Sequence, residues 1–331
     1  MSTGITGPSS YNTVMTAFAQ HWLTGNSKLA PGAIVLTLPD KTSMTQAQFT
    51  TLRVALETQQ DVVQSRLVAA GIARGNVNVL KASLLPKLNL FISLMDGSYQ
   101  GTGFYEMRPY APSITDGKES FLLPLGKAME LWKAMNEGAA PAGVTLPLML
   151  GDGTDQSAFA SEISALIFAY AELTRKEVLL GIARGDRNVI QVRAYGAMLA
   201  YREGATNNYV LHPEMMDTLP RLSPLPGHTP AAVNASAVLE APDHSKIVHD
   251  ASTDPLLERY ELRGCAGPDW NEEDALVIAS HAPNAPREFS TDFALNQPGA
   301  EAVFKLYVIL STGNEAGSAA MAVQRPLAQA A

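Results

Sequence analysis

Gly71-Ile72-Ala73-Arg74-Gly75 recurs letter for letter as Gly181-Ile182-Ala183-Arg184-Gly185, and the offset of 110 residues between them aligns much more of the chain. Without a gap it pairs Trp22 with Trp132, Ala30-Pro31 with Ala140-Pro141, Leu36 with Leu146, Leu38 with Leu148 and Gln46 with Gln156. It also pairs Phe49 with Phe159, Ala55-Leu56 with Ala165-Leu166, Asn78-Val79 with Asn188-Val189 and Phe91 with Tyr201. One pentapeptide can recur by chance. Matches spread along the chain at one offset point instead to two tandem copies of a single unit, 11–100 and 121–210.

Each copy reads as helical. A short amphipathic helix comes first, Tyr11 to Leu23 and Phe121 to Met135, with the paired tryptophans near its end and Gly25 and Gly138 expected to break it. Short apolar runs follow, Ile34 to Leu38 and Val144 to Leu150; the prolines and glycines around them argue for extended segments rather than central strands. Thr45 with Gln48 three residues on fits a capping box, and Asp155 is the equivalent N-cap. From there apolar residues recur at 49, 52, 56, 63, 67, 70, 77, 80, 84, 88 and 91, a helical period. Two readings fit: one long helix weakened at the glycines, which cost about 1 kcal/mol each, or a hairpin turning there. Pro86 and Gly196 occupy equivalent positions where a kink is expected. Two such copies side by side would make an antiparallel four-helix-like bundle.

Composition narrows the classes. Of 331 residues, 46% are hydrophobic and 17% charged, which suits a packed globular chain and excludes general disorder. From Arg221 to the end there are 14 acidic and 7 basic residues, leaving 18 against 17 before it, so the copies are nearly neutral and the C-terminal part is acidic. Neither carries the basic surface that nucleic acid requires. No unbroken run of about 18 apolar residues occurs, so no membrane span is expected, and MSTGITGPSSYNT shows no secretory signal, which leaves the compartment undetermined. The single cysteine, Cys265, excludes an internal disulfide and reads as a structural thiol.

The organisation expected is an N-terminal arm (1–10), copy 1 (11–100), a connector rich in Gly, Pro and Tyr (101–120), copy 2 (121–210), a Pro-rich linker (211–230), a β-sandwich (231–326) and a tail (327–331). In the sandwich, short alternating runs place Tyr260, Leu262, Leu276, Ile278, Phe289, Phe304, Leu306, Val308 and Leu310 inward. HDASTDPLLERYELR (His249 to Arg263), Pro298-Gly299, the strand AVFKLYVIL and NEAGS before Pro326 together resemble a fibronectin type III domain. Relative to that family, His249 replaces the tryptophan of the second strand and Ala302 the tyrosine of the tyrosine corner. The whole chain resembles uncharacterised bacterial proteins that carry one such C-terminal domain. The resemblance implies recognition or assembly and carries no catalytic residues.

Several residue groups invite chemistry, and each has a structural reading. Arg184-Gly185-Asp186 is an RGD triplet but falls inside the helical pattern. Gly151-Asp152-Gly153-Thr154-Asp155 resembles the opening of a calcium loop without its bidentate glutamate and reads as a helix cap. Asp243, His244, His249 and Asp250 have the side chains of a metal site, yet strand alternation puts the two histidines on opposite faces. Asn234-Ala235-Ser236 fits a glycosylation triplet. No catalytic residue, cofactor or metal ligand is assigned. The reading is a multidomain α + β chain, a duplicated helical-bundle module followed by a fibronectin type III-like β-sandwich. Its function is structural or protein-interacting and non-enzymatic, with a homo-oligomer expected. The alternative is a glycan-binding or adhesion module, for which Trp270 and Tyr307 are the expected exposed aromatics of the sandwich.

Overall fold

The computed structural model describes residues 8–29, 32–223 and 227–326. The Ala30-Pro31 pairing, most of the N-terminal arm and the tail lie outside them. A helical region precedes a β-sandwich. The helices are α1 (Pro8–Lys28), α2 (Gln46–Ser98), α3 (Lys118–Glu137), α4 (Gln156–Asn208) and α5 (Pro213–Asp217), with a short hairpin of β1 (Val35–Thr37) and β2 (Ser43–Thr45). Two compact units form, one of residues up to Gly71 with Val178–Pro326, the other of Ile72–Glu177.

The choice between a long helix and a hairpin at the repeated pentapeptide falls to the long helix. Both α2 and α4 run 53 residues without interruption, through the glycines and, in α2, through Pro86. Their starts are fixed by side chains. Thr45 N–H donates to Gln48 Oε1 at 2.8 Å while Gln48 N–H donates back to Thr45 Oγ1 at 3.3 Å, and Asp155 Oδ1 accepts the Ala158 N–H at 2.7 Å. What offsets the glycines is burial of the apolar face on both sides of them, Val63, Leu67 and Ala70 before and Val77, Leu84, Leu88 and Phe91 after.

In the first unit α1 packs on the first half of α2 and the second half of α4; Trp22 lies 5.8 Å from Phe49 and 5.1 Å from Tyr201, ring centre to ring centre. In the second unit α3 packs on the first half of α4 and the second half of α2, and Trp132 lies 5.7 Å from Phe159 and 5.3 Å from Phe91. Every partner in one set is 110 residues from its counterpart in the other. Each core thus draws on both long helices, α2 and α4, as well as on one short helix. Polar chemistry separates the two cores. His21 bridges Tyr201 Oη at 2.8 Å and the Met215 carbonyl at 2.9 Å, and Tyr201 Oη lies 2.6 Å from Tyr209 Oη. The second core has Leu131, Phe91 and Tyr99 at the equivalent positions. Burial holds the His21 pKa below its ordinary value and pushes both phenols up.

Three expectations need correction. Gly25 does not end α1, which continues to Lys28; glycine is required there because a Cβ would stand 1.9 Å from Tyr209 Oη. The ungapped offset fails across the loop before each long helix. Leu38 N–H donates to the Thr42 carbonyl and Leu150 N–H to that of Thr154, each at 2.9 Å, while Asp40 and Asp152 each take the N–H two residues on. Leu-Pro-Asp-Lys-Thr and Leu-Gly-Asp-Gly-Thr are therefore one turn, 112 residues apart, with Lys41 and Gly153 both at positive φ. The apparent calcium loop is this turn. Finally, the Pro-rich stretch 211–230 contains α5, whose Met215 is buried in the first unit's core.

The sandwich comprises β3 (Ala235–Ala241), β4 (His244–His249), β5 (Leu257–Ala266), β6 (Leu276–His281), β7 (Glu288–Thr291), β8 (Glu301–Leu310), β9 (Glu315–Gly317) and β10 (Met321–Gln324). One antiparallel sheet has the order β3-β4-β7; the other is β10-β8-β5-β6 with β9 also paired to β8. Ile247, Tyr260, Leu262, Phe289, Phe304, Leu306, Val308 and Leu310 fill the space between them.

Candidate functional site

The sandwich's larger sheet carries residues buried on both faces: from Tyr260 to Ala266 every position of β5 is covered. One face is the sandwich core. At the end of the strand, Val63 and Leu67 of α2 and Leu180 and Ala183 of α4 pack with Ala266. Polar anchors surround that apolar contact. Asp274, in the loop between β5 and β6, is fully buried; Arg184 reaches its Oδ2 and Arg187 Nη1 its Oδ1 at 2.8 Å. Arg187 also donates to the Glu273 carbonyl at 2.6 Å, and Gln64 Nε2 to the Asp274 carbonyl at 2.8 Å. Two guanidinium groups on one buried carboxylate make a joint in which loss of Asp274 leaves the buried Arg187 charge unpaired.

A second charged group, centred on Arg263 of β5, includes Glu272 of the same loop. Arg263 donates to Glu261 at 2.7 Å and to both oxygens of Glu315 at 3.0 and 2.6 Å, with its guanidinium 4.0 Å above the Tyr307 ring. Burial alone would lower the Arg263 pKa, but the carboxylates of Glu315 and Glu261 hold it up. Tyr307 Oη donates to Glu272 at 2.7 Å, and burial with that carboxylate pushes the phenol up. Tyr307 is only 5% exposed, so the expected pair of exposed aromatics is corrected: capped by Arg263 and tied to Glu272, Tyr307 presents no stacking face. Trp270 is half-buried, donates to Glu272 at 3.0 Å, and has Lys305 Nζ 5.0 Å from its ring centre.

The other residues singled out in the sequence are engaged locally. Arg184-Gly185-Asp186 is helical and Arg184 is spent on Asp274. Cys265 donates to the Asn271 carbonyl at 3.1 Å, and burial pushes its thiol up to about 11, which suppresses the thiolate. His244 is exposed against Asp243 at 2.9 Å, whereas His249 is buried, and Asn234 donates to Asp250 at 3.1 Å. Among the described residues, no group of three or more His, Cys, Asp or Glu gathers in a metal-holding arrangement. A cleft of about 270 Å³ at one end of the sandwich is lined in part by Asp250 and Asp254; Asp254 takes the Leu256 N–H at 2.9 Å and faces His228 at 2.5 Å. One sequence expectation changes: α2 contains an 18-residue window long and apolar enough to cross a membrane by composition, with 28% of it buried. The window averages across scattered polar residues, which a search for an unbroken apolar run passes over.

His249 points inward at the end of β4. Its ring centre lies 4.4 Å from that of Tyr260 and 5.9 Å from that of Phe289, and Nδ1 meets the Asp250 carbonyl at 2.8 Å. Burial, followed by the charges of Arg287 and His281, lowers its pKa, opposed by the Asp250 carbonyl. A depressed histidine pKa means stability that is complete above the unfolded value and lost as pH falls from there toward the folded one. The full chain should therefore melt lower at about pH 5 than at about pH 7.5, and His249→Phe should shrink that difference. An unchanged pH dependence in a folded His249→Phe protein contradicts this account.

The joint at Asp274 is not among the features expected from the sequence, although a signal for it is present there. Position 77 belongs to the apolar series of α2, and its counterpart 110 residues on is Arg187. An arginine on a helix face that is otherwise buried requires a buried acceptor, and the C-terminal part is where acidic side chains are in excess.

These observations define a helical region followed by a fibronectin type III-like β-sandwich. No protein-family model and no curated protein matches the chain. Among solved structures, the fn3 domain of human contactin 1 is similar at 16% identity over 32% of this chain and 82% of that one, with a TM-score of 0.26. An Fn3-like protein from Clostridium thermocellum is similar at 17% over 31% of this chain and all of its own, with a TM-score of 0.24. Pectate lyase PelI from Erwinia chrysanthemi, solved with tetragalacturonic acid, is similar at 15%, TM-score 0.24; the match spans 28% of either chain.

Proposed function

We propose that the protein is a non-enzymatic interaction module that assembles with copies of itself, built from a duplicated helical unit (11–100 and 121–210) and an acidic sandwich held on the helices in one orientation. The observation that carries this reading is the buried Asp274 joint, which ties the β5–β6 loop of the sandwich to α4. Rigid presentation of surfaces is what such a joint provides, and the titratable groups around it are consumed in holding it. The glycan reading loses support because Tyr307 is capped. Light scattering on the full chain over a wide concentration range tests the proposal: particles heavier than the 35.3 kDa monomer are expected. A strict monomer at high concentration removes the self-assembly, and binding on a glycan array would restore the sugar-binding alternative.

A further inference from the structure

The segment of α4 within the first unit is apolar on two opposite faces. One face buries Leu180, Ala183, Ala194, Ala197 and Met198. The other shows Val178, Ile182, Val189 and Val192 to solvent, at 58, 56, 70 and 73% exposure. A globular surface helix ordinarily has one apolar stripe, so a second one opposite the first calls for a partner. Valine is also a poor choice for an exposed helix position on propensity alone.

The exposed residues keep the alternating four- and three-residue spacing of a two-helix seam: 178, 182, 185, 189 and 192, with Leu199 one heptad beyond Val192. Gly185 is the small residue of the series, and a Cβ placed on it would meet no atom within 4 Å, so a second backbone has room to approach. Beside the seam stand Asp186 and Arg193, both exposed and opposite in charge.

We propose that this face of α4 is a self-association surface whose occupant is α4 of a second copy, running antiparallel. This deepens the self-assembly reading above and rests on it. With the two-fold axis between Val189 and Val192, Val189 meets Val192 of the second copy twice, and Ile182 meets Leu199 twice. The same register sets Asp186 of each copy against Arg193 of the other, giving two ion pairs from one sequence, as an isologous interface demands. The exposed fractions of the five seam residues correspond to roughly 1,000 Å² over both copies, and the flanking polar residues bring the contact into the range of specific interfaces. An amphipathic membrane-surface helix instead carries Lys and Arg along its polar flank, whereas this one mixes signs.

Sedimentation velocity of the full chain tests the surface. Wild type should dimerise, and Val189→Glu with Val192→Glu should weaken dimerisation by about a hundredfold. Asp186→Arg alone and Arg193→Asp alone should each weaken it, and the two together should restore it, because the reversed charges again face opposite signs. These two positions are solvent-exposed, so the charge series stands even if the Val189→Glu, Val192→Glu protein does not fold. A wild type that associates unaffected by any of these changes overturns the α4 seam while leaving self-assembly through another surface. A monomeric wild type overturns both. Cosedimentation of monomeric wild type with phosphatidylcholine–phosphatidylglycerol vesicles, lost in the Val189→Glu, Val192→Glu protein, would assign the face to a membrane surface instead.

Discussion

Asp274→Ala should lower the stability of the full chain by about 3–5 kcal/mol, the cost of stranding a buried charge. Arg187 is almost wholly buried and keeps only the Glu273 carbonyl once the carboxylate is gone; Arg184, about one-third exposed, can turn toward water. The loss therefore comes chiefly from Arg187. Replacing the ion pair as a pair, Arg187→Met with Asp274→Leu, should recover much of it, since apolar residues of similar volume strand no charge. Arg187→Val, which installs the residue found at position 77, should cost less than Asp274→Ala, because Arg184 still pairs with the carboxylate. Denaturant midpoints of the four proteins give the comparison. An Asp274→Ala protein within about 0.5 kcal/mol of wild type would show that the joint contributes nothing to holding the sandwich.

Trp22→Ala and Trp132→Ala should each cost about 3–5 kcal/mol, the usual range for emptying a fully buried tryptophan site. The two losses should agree within about 1 kcal/mol, because each indole lies between a phenylalanine of one long helix and an aromatic ring of the other at nearly the same distances. The expected asymmetry is small and has a cause: Tyr201 is tethered to His21 and Tyr209, so the first cavity collapses less readily than the second. Thermal unfolding followed by circular dichroism measures both, and a near-neutral effect at either tryptophan contradicts the equivalence of the two cores.

How far the sequence discloses this molecule depends on the range of the interaction. The eleven apolar positions of α2 follow from period alone, and Thr45, Gln48 and Asp155 can be read as caps because a cap is settled within three residues. The inward place of His249 follows from strand alternation, which is equally local. What the sequence hides is decided at long range. Gly25 looks like a helix terminator, and its reason is a tyrosine more than 180 positions away. Tyr307 looks available until Arg263 covers it. The turns at Asp40 and Asp152 escape a single fixed offset, though their shared Leu-x-Asp-x-Thr is in plain view.

That both cores draw on α2 and α4 has a consequence for how the chain is made. When the ribosome has released α1 and α2, Trp22 has met Phe49 but not Tyr201, and His21 will wait for a hydroxyl 180 residues downstream and a carbonyl 194 downstream. Neither aromatic box can be closed by residues 11–100 alone, so the apolar face of α2 emerges ahead of the residues that cover it. Contacts this distant in sequence slow folding through the entropy of closing the intervening chain. The nascent N-terminal half is therefore the form of this protein with most reason to engage a chaperone, and that need ends when α4 is complete.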